Sequence, residues 1–127
     1  MTPKKILVVD DEKTITRLLK LNLEKTGIYV VRQENLGAKV LDAAREFKPD
    51  LVLLDVMMPD MDGGDIAAGL QNDPCLRRVP IVFLTAAVKK EELNACHGVI
   101  GGFPYIAKPL NVKGVISTIE KHLVREA

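Results

Sequence analysis

Short apolar runs rich in β-branched residues alternate along this chain with longer stretches of helical period. That alternation restricts the possible folds more than any other feature. "KILVVD" (5–10), "IYVVRQ" (28–33), "DLVLLD" (50–55), "VPIVFLT" (79–85) and "YIAK" (105–108) read as strands. The first intervening helix spaces Ile15, Leu18, Leu19 and Leu23 by three and four residues, with Gly27 as its C-terminal cap. The second groups Leu36, Val40, Leu41, Ala44 and Phe47 and stops before Pro49. "GDIAAGLQND" (64–73) reads as a weaker helix, because Gly64 and Gly69 each cost about 1 kcal/mol relative to alanine. "KKEELNACHG" (89–98) is a short helix with an exposed charged start, and a last helix runs from Val112 to about Val124. It aligns Val112, Val115, Ile116, Ile119 and Leu123.

Five strands alternating with five helices imply right-handed βαβ crossovers and a parallel sheet covered on both faces. In an open sheet of this kind, ligands bind outside the carboxyl ends of the strands. Asp10 and Asp11, Asp55, Thr85 and Lys108 each stand at such an end, so they are expected on one rim.

A length of 127 residues fits one domain. A net charge of +1 gives no electrostatic case for nucleic acid or acidic membranes, and no apolar run approaches the ~20 residues that span a bilayer. The N-terminus lacks the pattern of a signal peptide. Cys75 and Cys96 have no metal-binding spacing and read as free thiols in a reducing cytoplasm.

Three acids at one rim repel one another. At about 4 Å and an effective dielectric near 20, each pair costs about 4 kcal/mol. Protonating one acid or capturing a cation relieves this, and oxygen ligands without histidine or thiolate favour Mg²⁺. Lys108 then offers a positive charge and Thr85 a hydroxyl to a phosphate beside the metal, which together describe a phosphoryl-transfer site. Asp55, on a central strand, is the best candidate nucleophile. Each residue also has a plainer reading: Asp10-Asp11 as a helix cap, Thr85 as a strand residue, Lys108-Pro109 as a turn. Their joint placement favours function. Met57 and Met58 read as core filler, and His97 and His122 as solvated helix residues.

"ILVVDDE", "DLVLLDVMMPDMDG", "VFLTA" and "YIAKP", in this order and spacing, resemble the four signatures of the receiver domain of two-component response regulators. The resemblance covers essentially the entire chain, so residues 1–127 are expected to form one receiver domain with no output domain visible. It implies a flavodoxin-like (βα)5 fold with strand order 2-1-3-4-5. It implies a cytoplasmic signalling domain rather than an enzyme, with Asp55 phosphorylated by a sensor histidine kinase or a phosphotransfer protein. Asp11, Asp55 and the Met57 backbone carbonyl would bind Mg²⁺ directly, and Asp10 through water. Lys108 would contact the phosphoryl group, and Lys108–Pro109 would be cis. Thr85 and Tyr105 would be the switch residues. A downstream protein would read the surface formed by the fourth helix, the fifth strand and the fifth helix. The chain departs from the family pattern at Gly64, where a bulky apolar residue is usual, and in "CHGVIGGFPYIAKP", which is longer than usual and places Pro104 before Tyr105.

Two other classes share the acids. A Mg²⁺-dependent phosphatase would turn over a small substrate, but no second aspartate stands two positions after Asp55. A degenerate receiver would serve only for docking, against which the intact acid set argues. A flavin-binding protein of the same fold would need a phosphate-cradling loop after the first strand, and none is present.

Overall fold

The computed structural model describes residues 2–87, 89–95 and 98–123. Cys96, His97 and the expected helix end at Val124 lie outside the described residues. Among those described, the strands are β1 (Lys4–Val9), β2 (Tyr29–Glu34), β3 (Leu51–Asp55), β4 (Ile81–Thr85), β5 (Val99–Ile100) and β6 (Phe103–Ala107). The helices are α1 (Lys13–Glu24), α2 (Val40–Phe47), α3 (Gly63–Asn72), α4 (Lys90–Ala95) and α5 (Val112–His122), with a 3-10 turn at Gly37–Lys39. The sheet order is β2-β1-β3-β4-β6-β5, parallel from β2 through to β6. The strand read at 105–108 is β6.

Side-chain alternation along each strand separates two cores. Ile6, Val8, Leu51, Leu53, Val82 and Leu84 pack with Leu19 and Leu23 of α1 and Val115 and Ile119 of α5. Leu7, Val9, Val52, Leu54 and Phe83 point the other way, onto Val40 and Ala44 of α2 and Ile66 and Leu70 of α3. Each fully buried side chain of this size is worth about 1.5–3 kcal/mol. Burial on both faces of β1, β3 and β4 is what makes these strands continuously apolar in sequence.

Several expectations need correction. The first is the number of strands, because residues 99–104 form an antiparallel hairpin with Val99 opposite Pro104 and Ile100 opposite Phe103. Gly101 and Gly102, at φ 59° and 85°, make its two-residue turn, the conformation that both central residues of a type I′ turn require. The unusual length of this segment is therefore an added hairpin on the sheet edge. The Tyr105 amide donates to the Gly98 carbonyl at 2.7 Å. Alternation of bonded and non-bonded pairs then leaves Val99–Pro104 as a pair that needs no donor from proline.

Second, Leu18 is 51% exposed, because the inward stripe of α1 runs through Thr16, Leu19 and Leu23. Gly27 is not the immediate cap of α1, which ends on Lys25; at φ 77° it turns the chain toward β2. Third, Leu36 is exposed, since the 3-10 turn delays α2 until Val40. Fourth, of the two methionines read as core filler, Met58 is buried but Met57 is 72% exposed. Asp55 closes the strand, so Met57 already belongs to the loop above the rim.

Candidate functional site

Two strand ends deliver the three acids. Asp10 follows β1 and is fully buried, Asp11 beside it is exposed, and Asp55 is the last residue of β3 and is buried. Each offers a carboxylate oxygen, and these atoms lie within 4.8 Å of one another. Lys108, just past β6, is brought to the same point because its amide donates to the Thr85 carbonyl at 2.8 Å. Its ammonium is 2.8 Å from Asp10 Oδ2 and 3.6 Å from Asp55 Oδ2. The Lys108–Pro109 peptide is cis, as the family resemblance implies.

Asp10, Asp55 and Lys108 are held in a low-dielectric setting. Burial raises the Asp55 pKa to about 6, with the charge of Asp10 adding to the rise. Lys108 and the Met57 amide, which donates to Asp55 Oδ1 at 3.3 Å, pull it partly back. Burial alone would lower the Lys108 pKa, but Asp10 and Asp55 more than offset it and the net shift is upward. One ammonium therefore faces three acids. Asp10 Oδ2, fully buried, is held by the Lys108 ammonium at 2.8 Å, which leaves the other carboxylate oxygens of the cluster short of positive charge. A crowded, oxygen-only set with a single ammonium beside it fits a hard divalent cation.

The backbone around the acids is fixed by small residues and side-chain bonds. The amide of Gly63 donates to the Val56 carbonyl at 2.7 Å, and Met57 bridges to Asp62 across the loop. A Cβ at Gly63 would lie 2.6 Å from the carbonyl oxygens of both Asp55 and Val56. Behind Asp10, Asn35 donates from one amide nitrogen to the Asp10 carbonyl at 2.8 Å and to Thr16 Oγ1 at 3.0 Å. The repeated glycine in "DMDGG" hinted at a close approach in the sequence; nothing local marked Asn35.

Above the acids opens a cleft of about 260 Å³, lined by Asp11, Asp55, Met57, Thr85, Ala87 and Lys108 among others. Thr85 is buried, and its hydroxyl accepts the Ala87 amide at 3.0 Å. Tyr105 stands apart from the cleft, half-buried on β6 with its ring 5.0 Å from that of Phe83. His122 is half-buried, its ring nitrogen 2.9 Å from the Thr118 carbonyl, rather than freely solvated. A larger cleft of about 710 Å³ lies near the amino ends of β3 and β4, lined by Arg45, Lys48, Asp73 and Leu76 among others. Its one acid, Asp73, is bound to Arg45 at 2.7 Å.

Among the described residues no helix is long and apolar enough to cross a membrane. Residues 6–120 match the family described as the response regulator receiver domain. The polar-differentiation response regulator DivK of Brucella anthropi is 35% identical over 122 residues, covering 95% of this chain and 97% of that protein. The chemotaxis protein CheY4 of Vibrio cholerae superposes with a TM-score of 0.82 at 26% identity, over 96% of this chain and all of that one. A putative response regulator from Chloroflexus aurantiacus gives a TM-score of 0.81 at 29% identity, over 98% of this chain and 100% of that chain. With its sheet order, its clustered acids and these likenesses, the chain belongs to the receiver domain family of two-component response regulators.

Proposed function

We propose that this receiver is a cytoplasmic phosphoacceptor switch in which Asp55 takes a phosphoryl group from the phosphohistidine of a histidine kinase or phosphotransfer protein. The observation that carries this reading is the meeting of Asp10, Asp11, Asp55 and Lys108 beneath one open cleft. A carboxylate oxygen of Asp55 attacks phosphorus as the P–N bond breaks. The bonding pair leaves with the donor imidazole, which takes up a proton, and an acyl phosphate remains on Asp55. Asp11, Asp55 and the Met57 carbonyl would hold Mg²⁺, with Asp10 acting through water. Bound there, Mg²⁺ would neutralise charge on the transferring oxygens. Lys108 would leave its pairing with Asp10 and Asp55 for a phosphoryl oxygen, a charge-assisted contact.

Thr85 would give up its bond to the Ala87 amide and turn its hydroxyl to the phosphoryl group. Repacking of Tyr105 against Phe83 would pass the change to α4, β6 and α5, where a downstream protein binds. Met57 and Ala87, exposed at the mouth of the cleft, offer an attacking water no acid or amide side chain, which supports slow self-dephosphorylation. Incubation with acetyl phosphate and Mg²⁺, read by intact mass, tests the reading. The wild type should gain one phosphoryl group, and Asp55→Asn or addition of EDTA should abolish the gain. Labelling that persists in Asp55→Asn would contradict it.

A further inference from the structure

The loop between β3 and α3 has an anchor outside the acid cluster. Asp60, near its tip, accepts the Gly37 amide on Oδ1 and the Ala38 amide on Oδ2, both at 3.0 Å. These amides open the 3-10 turn ahead of α2, where first-turn donors have no helical acceptor of their own. The two-pronged contact therefore satisfies both donors and ties the loop to a separate element. Gly37 is shaped for it: a Cβ there would lie 2.7 Å from Met61 Cβ and 3.2 Å from Asp60 Oδ1.

The rest of the loop needs such a tie. Its base is closed by Gly63 on Val56 and by the Met57–Asp62 bridge. Inside, Met58 is buried in the core, but Met57 is mostly exposed and its side chain anchors nothing. Met57 itself is held at the base by its bridge to Asp62, while Met58 is buried on the inner side and Asp60 ties the outer side to Gly37 and Ala38.

We propose that Asp60 is a positioning residue for the phosphoryl-transfer site: by gripping the Gly37 and Ala38 amides it holds the β3–α3 loop so that the Met57 carbonyl faces the cation site. The inference rests on the function proposed above. Outer-shell residues that orient metal ligands change affinity by about tenfold or more when removed, and Asp60→Ala should weaken Mg²⁺ binding by about that factor. Asp60→Asn keeps an acceptor and should recover part of the loss. Ala38→Pro deletes one donor while leaving Asp60 intact, and should weaken binding in the same direction.

The test is Mg²⁺ titration calorimetry on wild type and the three variants, with urea unfolding in EDTA and acetyl phosphate labelling across Mg²⁺ concentrations. The Mg²⁺ needed for half-maximal labelling should rise in Asp60→Ala, while saturating Mg²⁺ restores the rate to within about twofold. Asp60→Ala or Ala38→Pro, folded in EDTA yet binding Mg²⁺ as the wild type does, would overturn the inference and leave the proposed function standing. A wild type that neither binds Mg²⁺ nor labels would overturn both.

Discussion

Asp55 sits under the rim with Asp10 beside it, and its pKa of about 6 stands above the ordinary value of 3.8. Between those two values the folded protein keeps a proton that the unfolded chain has lost. Metal-free stability from this group is therefore fully present below about pH 4 and is lost as pH rises through about 6. Asp55→Asn removes the charge and should be more stable than wild type in EDTA at about pH 7.5, with a smaller gap near pH 4. Urea unfolding at both pH values checks this, and a gap that stays constant would contradict it. Excess Mg²⁺ should restore the wild type selectively. Gly63 makes a steric counterpart. Its missing side chain leaves room for the Asp55 and Val56 carbonyls, and Gly63→Ala should cost about 1–3 kcal/mol and slow labelling together. Gly64, next to it, faces open space, so Gly64→Ala is the control.

Helix α3 carries a cost that nothing in the packing requires. A Cβ at Gly69 would meet no atom within 4 Å, and Gly69→Ala should raise stability by about 0.5–1 kcal/mol in urea unfolding. The outer edge of β2 is managed by side chains of α1. Glu24 accepts the Val31 amide at 3.0 Å, and Lys20 donates to the Val31 carbonyl at 2.8 Å, so the strand presents no free pair there for another chain. Glu24→Ala should cost about 1 kcal/mol and increase self-association, read by urea unfolding and sedimentation. Such contacts explain where sequence reading stopped. Alternating apolar runs revealed the strands and their faces, because burial on both sides leaves its mark in every residue. The Lys20–Glu24 grip on β2 depends on how α1 packs beside that strand, and the Asn35 bridge joins residues 19 and 25 positions apart, so neither left a local signal. The hairpin at 99–104 did leave one, a Gly-Gly pair between apolar residues, masked by the proline beside it.

Across the molecule, the order β2-β1-β3-β4-β6 brings residues from four separated segments to one rim, a convergence that follows from the topology. The acids, Thr85 and Lys108 were therefore legible from strand ends alone, while the loop that frames them was not. Phosphorylation at this rim acts as a charge change on a two-state element. Moving such an element from 1:99 to 99:1 takes about 5.5 kcal/mol, more than one or two new phosphoryl contacts obviously supply. On the function proposed above, that magnitude predicts a partial shift on phosphorylation alone. All of this depends on Asp55 being the group that accepts the phosphoryl. The direct measurement is borohydride reduction of protein phosphorylated by a histidine donor, followed by peptide mass mapping, since only an aspartyl phosphate is reduced to homoserine. Homoserine at position 55 alone, and only when Mg²⁺ was present, is the predicted result; phosphate retained at any other residue, or no homoserine from a labelled protein, would contradict it.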